Sequence, residues 1–304
     1  MGFVNHRDQR GGFLRNRKLP TWLSAPLIVG AFGVLLWLER RRPLRRAVES
    51  KLARNARNLM MAGISAIALQ IAERPILDPL AAQVERRGWG LLKLLRMPLW
   101  LEVAVAFVLM DYTLYLWHVL THRVPWLWRF HVVHHVDLDL DASTALRFHF
   151  AELAISVPWR AAQVTALGVS PLSLSVWQTM LLLSILFHHS NVHLPIKTER
   201  WLNRLIVTPR MHGIHHSIVR EETDSNWSSG LNFWDRLHGT LRLNVPQQEI
   251  IIGVPAYREP QEVTLEEILE IPFVRERPTW RFQPAGGAEP VRPAQPFAPD
   301  HLLA

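Results

Sequence analysis

Ten histidines fall into four clusters whose spacing suits metal ligation. His118 and His122 stand four residues apart, and His131, His134 and His135 follow an HxxHH pattern. His189 and His193 are again four apart, and His212, His215 and His216 repeat HxxHH. On a helix, residues three and four apart share a face, so each cluster aims its imidazoles in one direction. Packed together without a cation, these rings would be held neutral and leave many nitrogens unpaired. Spread over a surface, they would have no reason to keep helical register. A single ion takes roughly four to six ligands, so ten nitrogens predict two ions. Imidazole alone does not separate zinc, iron, copper or nickel. Two irons on neutral ligands beside a membrane would suit O2 activation and attack on a lipid C–H bond.

The composition narrows the chemistry further. The chain has 304 residues, 15 histidines and no cysteine. That excludes a disulfide scaffold, zinc fingers, Cys-ligated iron–sulfur clusters and thiol catalysis. There is no phosphate-cradling P-loop, no GxGxxG and no heme-attachment motif. No organic cofactor site is therefore expected, and no catalytic side chain beyond the metal ligands.

The elements that must position these rings are helices. Pro125 precedes the second cluster at a first-turn position, and Thr208-Pro209 reads as an N-cap followed by Pro at N1. Five apolar stretches run at about 22–38, 58–72, 99–117, 150–168 and 170–187, the third interrupted by Glu102 and Asp111. The last two are separated by 168-GVSP-171, a break suited to a helical hairpin. Residues 22–38 carry no charge and rise roughly 26 Å as a helix, enough to cross a hydrocarbon core. A soluble all-α bundle is the alternative, but so many long apolar segments with Trp and Arg at their ends are difficult to bury in one. Near the C-terminus, 264-TLEEILEI-271 reads as a short amphipathic helix capped by Thr264. The Pro-rich stretch 278–304 reads as a disordered tail.

The net charge of +8 could suggest nucleic acid, so its location matters. Residues 1–57 hold thirteen Lys and Arg against three acids, more than the whole surplus, and the rest of the chain offers no basic groove. No nucleic-acid partner is expected. The densest run, 40-RRRPLRR-46, follows the first apolar stretch, where a membrane protein carries cytoplasmic positive charge. With residues 39–57 cytoplasmic, the next two segments cross out and back and deliver residue 118 to the cytoplasmic face. The basic N-terminus then lies outside, against the same rule.

The segments 111-DYTLYLWHVLTH-122, 128-WRFHVVHH-135, 144-TALRFHFAE-152, 187-FHHSNVHLP-195, 208-TPRMHGIHH-216 and 226-NWSSGLNFWDRLHGT-240 resemble the fatty acid hydroxylase / sterol desaturase superfamily. The likeness covers residues 111–241. It implies an all-α integral membrane protein, with a transmembrane helical base under a cytoplasmic histidine-rich catalytic cap. It also implies a non-heme di-iron centre, O2 as co-substrate, a membrane lipid substrate and an external electron donor of cytochrome b5 or ferredoxin type. His118, His122, His131, His134, His135, His189, His212, His215 and His216 match the metal-ligating histidines, and His193 matches the HxxxH of fatty acyl hydroxylases. His149 matches a further family histidine without a helical partner and suits a supporting role. His188 reads as a rim neighbour of the ligand His189, and His238 as structural.

Metal-bound imidazoles need a partner on their other nitrogen. Asp111, seven residues before His118 on the same helical face, is one candidate; a polar cap at the membrane surface is its alternative role. Glu152, Asp224, Asn226 and Asp235 are further candidates, with helix capping or pairing to Arg147, Arg210 and Arg236 as alternatives. The chain then divides into N-terminal membrane segments (1–98), a hydroxylase-like catalytic domain (99–245), a C-terminal extension (246–277) and the tail (278–304). The expected activity is hydroxylation of a fatty acyl, sterol or related lipid, at the cell membrane in a bacterium or the endoplasmic reticulum in a eukaryote. A lipid desaturase would use the same centre. A non-catalytic metal-binding or metal-transport membrane protein is the rival of another class, although a transporter would place its ligands at mid-membrane. A zinc hydrolase is a third reading, disfavoured by the surplus of histidines and the lack of HExxH.

Overall fold

The computed structural model describes residues 13–95 and 97–277. The expected tail, with His301, and the N-terminal His6 lie outside the described residues. Helix α1 spans Thr21–Arg41, and only Leu35 and Glu39 within it are buried. Helix α2 (Lys51–Ala68) runs through a π-turn, Leu69–Glu73, directly into α3 (Arg74–Arg87). Next come α4 (Leu99–Arg123), α5 (Pro125–His135), α6 (Phe150–Leu167) and α7 (Pro171–His189). Shorter helices follow, among them α8 (Ile196–Leu202), α9 (Pro209–His215), α10 (Phe233–Leu237) and α11 (Leu265–Glu270). Among the described residues there are isolated bridges, such as Pro43–Val192 and Ile206–Leu231, but no strand.

Among the described residues four helical segments are long and apolar enough to cross a membrane: α1, Lys51–Leu94, α4 and α7. Sequence reading expected a fifth over 150–168. Helix α6 fills that place but is not among them, and it buries Glu152, Ser156 and Gln163 towards the interior. The apolar faces of α1 and α4 are open, with Trp22, Trp37 and Trp100 more than half exposed. So much exposed apolar surface with aromatic ends fits a lipid environment.

Local signals explain the element boundaries. Pro125, Pro171 and Pro209 all sit in first turns, where the missing N–H costs nothing. Gly168 ends α6 at φ 80, and a Cβ there would lie 2.6 Å from the Trp89 carbonyl oxygen, so the α6–α7 hairpin requires glycine. The Ser170 hydroxyl then caps α7 by accepting from the Ser173 N–H at 3.2 Å. Thr264 caps α11 as its sequence predicts.

Two apolar cores frame the site. Leu77, Val84, Met110, Val164 and Trp177 join α3, α4, α6 and α7. Met61, Val132, Val133, Tyr257, Val263 and Ile268 join α2 and α5 to the C-terminal segment. The extension at 246–277 is therefore packed into the same body as the histidine helices.

Candidate metal centre

Helices α4, α5, α7 and α9 carry the histidine clusters to one place. His118, His122, His131 and His135 each present one nitrogen within 4.8 Å of the others. His134, His189, His212 and His216 form a second group on the same criterion. His135, His215 and His216 form a third group that shares members with both. The His135 and His216 rings stack at 4.3 Å between the two halves. His215 lies against the first half, its ring 4.7 Å from His118 and 4.8 Å from His122.

Five of the outer nitrogens are anchored, which fixes those tautomers, while Nδ1 of His135, His212 and His216 has no partner. Nδ1 donates to a carbonyl oxygen in His118 (Trp227, 2.7 Å), His134 (Arg147, 3.2 Å), His189 (Ile185, 2.8 Å) and His215 (Ser225, 2.7 Å). In His131 it donates to Glu152 Oε1 at 2.7 Å. In these five rings Nε2 is then a bare lone pair turned inward. Nε2 of His122, His131, His135 and His215 has no hydrogen-bond partner although buried. In the second group, Nε2 of His189 stands 3.0 Å from that of His134 and 3.1 Å from that of His212. His216 Nε2 is likewise 3.1 Å from His212 Nε2.

Lone pairs facing each other at that distance repel unless a cation lies between them. Metal–nitrogen bonds of about 2.0–2.1 Å put neighbouring ligand atoms roughly 3 Å apart, so the donor set fits metal. Burial, reinforced by neighbouring imidazoles, holds His134, His135, His212 and His216 well below the ordinary histidine pKa, and pushes His215 down to about 3. Neutral imidazole is the form that ligates.

Of the ten histidines expected as ligands, nine come together and His193 does not. It is exposed and belongs to none of the groups. The physical reason is the end of α7 at His189: Ser190 is extended (ψ 147) and Val192 bridges to Pro43, so the four-residue spacing no longer means one face. His188, expected at the rim, is instead fully buried, with its ring 4.1 Å from His212 and both nitrogens unpartnered.

The expected supporting residues divide by what they touch. Glu152 alone reaches a cluster histidine with a short hydrogen bond. Asp111 touches none: it accepts from Trp234 Nε1 at 2.7 Å and Leu231 N at 3.0 Å, pinning the 230–234 loop to α4. A Cβ on Gly230 would meet Asp111 Oδ1 at 2.4 Å, so the loop's approach needs glycine. His149 caps α6, accepting from Ala151 N at 3.1 Å, while its Nε2 faces the Leu269 carbonyl. Asn226, at φ 54, donates to the Met211 and Arg242 carbonyls and accepts from Arg242 N, stapling the loop behind α9. Asp235 accepts from the N–H groups of Trp227 and Ser228, both at 3.0 Å, and so sets the Trp227 carbonyl that anchors His118. Asp224 stands 3.9 Å from His122 Nδ1 and nearer to Arg123. His238 stacks on Tyr115 at 5.1 Å, a structural contact.

Sequence reasoning missed a buried ion network behind α5. Arg54 pairs with Asp137 at 3.0 Å and with Asp141, while Arg57 and Arg147 each lie 3.3 Å from Asp137 Oδ1. Three surrounding arginines hold the Asp137 carboxyl well below the usual range despite its burial. Arg147 also donates to the Val133 carbonyl, and its own carbonyl anchors His134. The alternating run 137-DLDLD-141 directly after HxxHH was the available signal.

A cavity of about 590 Å3 opens onto His118, His131, His134, His189 and His212. Its walls reach Ile28 of α1, Ala66 of α2 and Leu182 of α7.

Residues 103–240 match the fatty acid hydroxylase family. Among curated proteins, an ornithine lipid hydroxylase of Rhizobium tropici is 33% identical over 145 residues, 47% of this chain and 43% of that protein. Cholesterol 25-hydroxylase of Mus musculus is 29% identical over 143 residues, covering 46% of this chain and 47% of the relative. Alkylglycerol monooxygenase of Homo sapiens is 30% identical over 152 residues, covering 49% and 32%. The chain thus spans between about a third and a half of the length of these relatives. No solved structure matches it.

Proposed function

We propose that this chain, a member of the fatty acid hydroxylase superfamily through residues 103–240, is an O2-dependent lipid hydroxylase with a di-iron centre. The observation that carries the reading is the convergence of nine histidines with their inner nitrogens bare, at the end of an apolar cavity. His118, His122, His131 and His135, with His215 beside them, would hold one iron, and His134, His189, His212 and His216 the other. Such a pair supplies O2 reduction coupled to C–H oxidation, in which lipid, O2, two electrons and two protons give hydroxylated lipid and water.

The protein's own part is orientation and exclusion of water. Carbonyls of Trp227, Arg147, Ile185 and Ser225, with the Glu152 carboxylate, engage the outer N–H of His118, His134, His189, His215 and His131 and aim their inner lone pairs inward. Leu146, Phe148, Leu182 and Ile185 line the cavity beside the histidines and present an apolar wall to an alkyl chain. A lipid would enter sideways from the bilayer along α1 and α2, whose Ile28 and Ala66 border the cavity.

The basic loop 39–57 supports a cytoplasmic face for the site. Arg45 lies against Gly213 of α9, and Arg54 joins the Asp137 network, so this loop and the histidines share a face. The positive-inside rule assigns that face to the cytoplasm, where a cytochrome b5- or ferredoxin-like donor would dock. Purification in detergent with metal analysis tests the reading. The expected result is about two irons per chain, with lipid-dependent O2 uptake lost in His134→Ala or His215→Ala. Zinc as the sole bound metal, with no O2 uptake on any lipid, would overturn it.

A further inference from the structure

The histidine site leaves one exposed unit of the fold without a use, built from residues 196–206 and 231–238. Trp201, Leu205, Phe233 and Leu237 are all more than half exposed there. The two segments are laced together. The Leu205 carbonyl accepts from Asn232 N at 3.1 Å, Ile206 bridges to Leu231, and Arg236 Nη2 donates to the Asn203 carbonyl at 2.9 Å. Exposed apolar side chains rimmed by charge mark an interaction surface. Here every exposed charge is cationic: Lys197, Arg200, Arg204 and Arg236. The two acids of the unit, Glu199 and Asp235, are buried, Glu199 in a pair with Arg210.

Depth identifies what covers this surface. Trp234 fixes the unit to the middle of α4: its indole donates to Asp111 at 2.7 Å, and its ring packs on Tyr112 at 4.7 Å. Tyr112 precedes His118 by six residues, so this contact lies about 9 Å along α4 from the histidine level. Asp111 follows Leu99, the first residue of α4, by twelve residues, a rise of about 18 Å. A hydrocarbon core is roughly 30 Å thick, and any tilt of α4 shortens the rise across it. The unit therefore meets α4 within the thickness of the membrane, in the leaflet on the histidine side. Exposure along α4 agrees: Trp100 and Val108 are open, and no large apolar side chain from Leu109 to Trp117 is.

We propose that this unit is a leaflet anchor. Trp201, Leu205, Phe233 and Leu237 sink into the lipid, and Lys197, Arg200, Arg204 and Arg236 hold anionic phospholipid headgroups around them. Apolar side chains beside cations are the combination that interfacial segments use, and long basic side chains keep their charge at headgroup level. An acidic protein would meet the same charges, but the depth of the surface favours lipid. The proposal stands on the membrane-spanning helices and not on the chemistry proposed above.

The chain has no cysteine, so a single introduced cysteine carries an environment-sensitive NBD label without background. The test places full-length protein, one copy to each nanodisc, in mixed phosphatidylcholine and phosphatidylglycerol. Labels at Leu205→Cys and Leu237→Cys should behave like one at Val29→Cys on α1, quenched by doxyl-labelled lipid and spared by aqueous iodide. Doxyl-phosphatidylglycerol should quench the first two about three-fold more than doxyl-phosphatidylcholine, and adding Lys197→Gln with Arg204→Gln should bring that ratio near one. Iodide quenching of both labels, or protection that arises only on adding an acidic redox protein, overturns the anchor. An equal response to the two lipids before the charges are removed overturns the headgroup assignment. If Leu237→Cys does not fold, Leu205→Cys decides in the same way. No metal or turnover enters the readout, so failure of the anchor and failure of the hydroxylase reading are separate results.

Discussion

Glu152 Oε1 lies 2.7 Å from His131 Nδ1, joining α6 to the histidine-bearing helix α5 through a buried hydrogen bond. The carboxylate fixes the ring's tautomer and raises the basicity of the inner nitrogen. Glu152→Ala should weaken metal binding by about ten- to a hundred-fold while leaving the fold intact. Metal titration of the purified variant measures this, and wild-type affinity would show that the contact is incidental.

His189 and His193 make opposite predictions from the same sequence motif. His189→Ala removes a nitrogen from the second group and should cost that ion, so metal content per chain falls. His193→Ala alters an exposed ring and should leave metal content and turnover unchanged. Loss of metal in His193→Ala would require α7 to continue past its observed end.

The pH dependence of the metal-free protein follows from its buried imidazoles. His215 is pushed down to about 3 from the ordinary 6.5, and burial is the leading cause. His134, His135, His212 and His216 shift the same way. Between these limits the unfolded chain binds more protons than the folded one. Stability is therefore fully present above about pH 6.5 and falls as the pH drops towards 3. Unfolding midpoints of stripped protein across that window check the sign; a flat profile contradicts it.

Asp111→Ala cuts the 230–234 loop from α4 without touching a histidine. It leaves the Trp234 indole N–H without its acceptor, so a loss of about 1–3 kcal/mol in stability is expected. Metal per folded chain should stay near wild type. A drop in metal with no change in melting would return Asp111 to direct support of His118.

Arg147→Ala removes one of three guanidiniums around Asp137 and the donor to the Val133 carbonyl. Breaking a buried ion network costs about 3–5 kcal/mol, and the His134 anchor lies on the same residue's carbonyl. Thermal melting in detergent should show the loss, with Arg147→Lys recovering part of it.

The legible parts of the site were local. Spacing of three and four within one helix placed His131, His134 and His135, or His212, His215 and His216, on common faces. Where the helix stopped, as after His189, the same rule failed. Asp111 shares a face with His118, but spacing could not tell what packs against that face, and Trp234 lies 123 residues away. Arg54 and Asp137 are 83 residues apart, so neither alone announced the network. The hairpin at Gly168 and the helix starts at Pro125, Pro171 and Pro209 were readable because they depend on backbone chemistry alone. The π-turn before Arg74 was not, since it reflects packing against α6 and α7.

The order in which the ligands appear along the chain has a consequence for biosynthesis. His118 is the first of the nine and His216 the last, and two long helices without a ligand until His189 separate the two halves. During synthesis the first group is complete once α5 has emerged, whereas the second waits for α9, and the Asn226 staple behind α9 is made later still. The second group is thus assembled only after four of the long helices, α1, α2, α4 and α7, have been made.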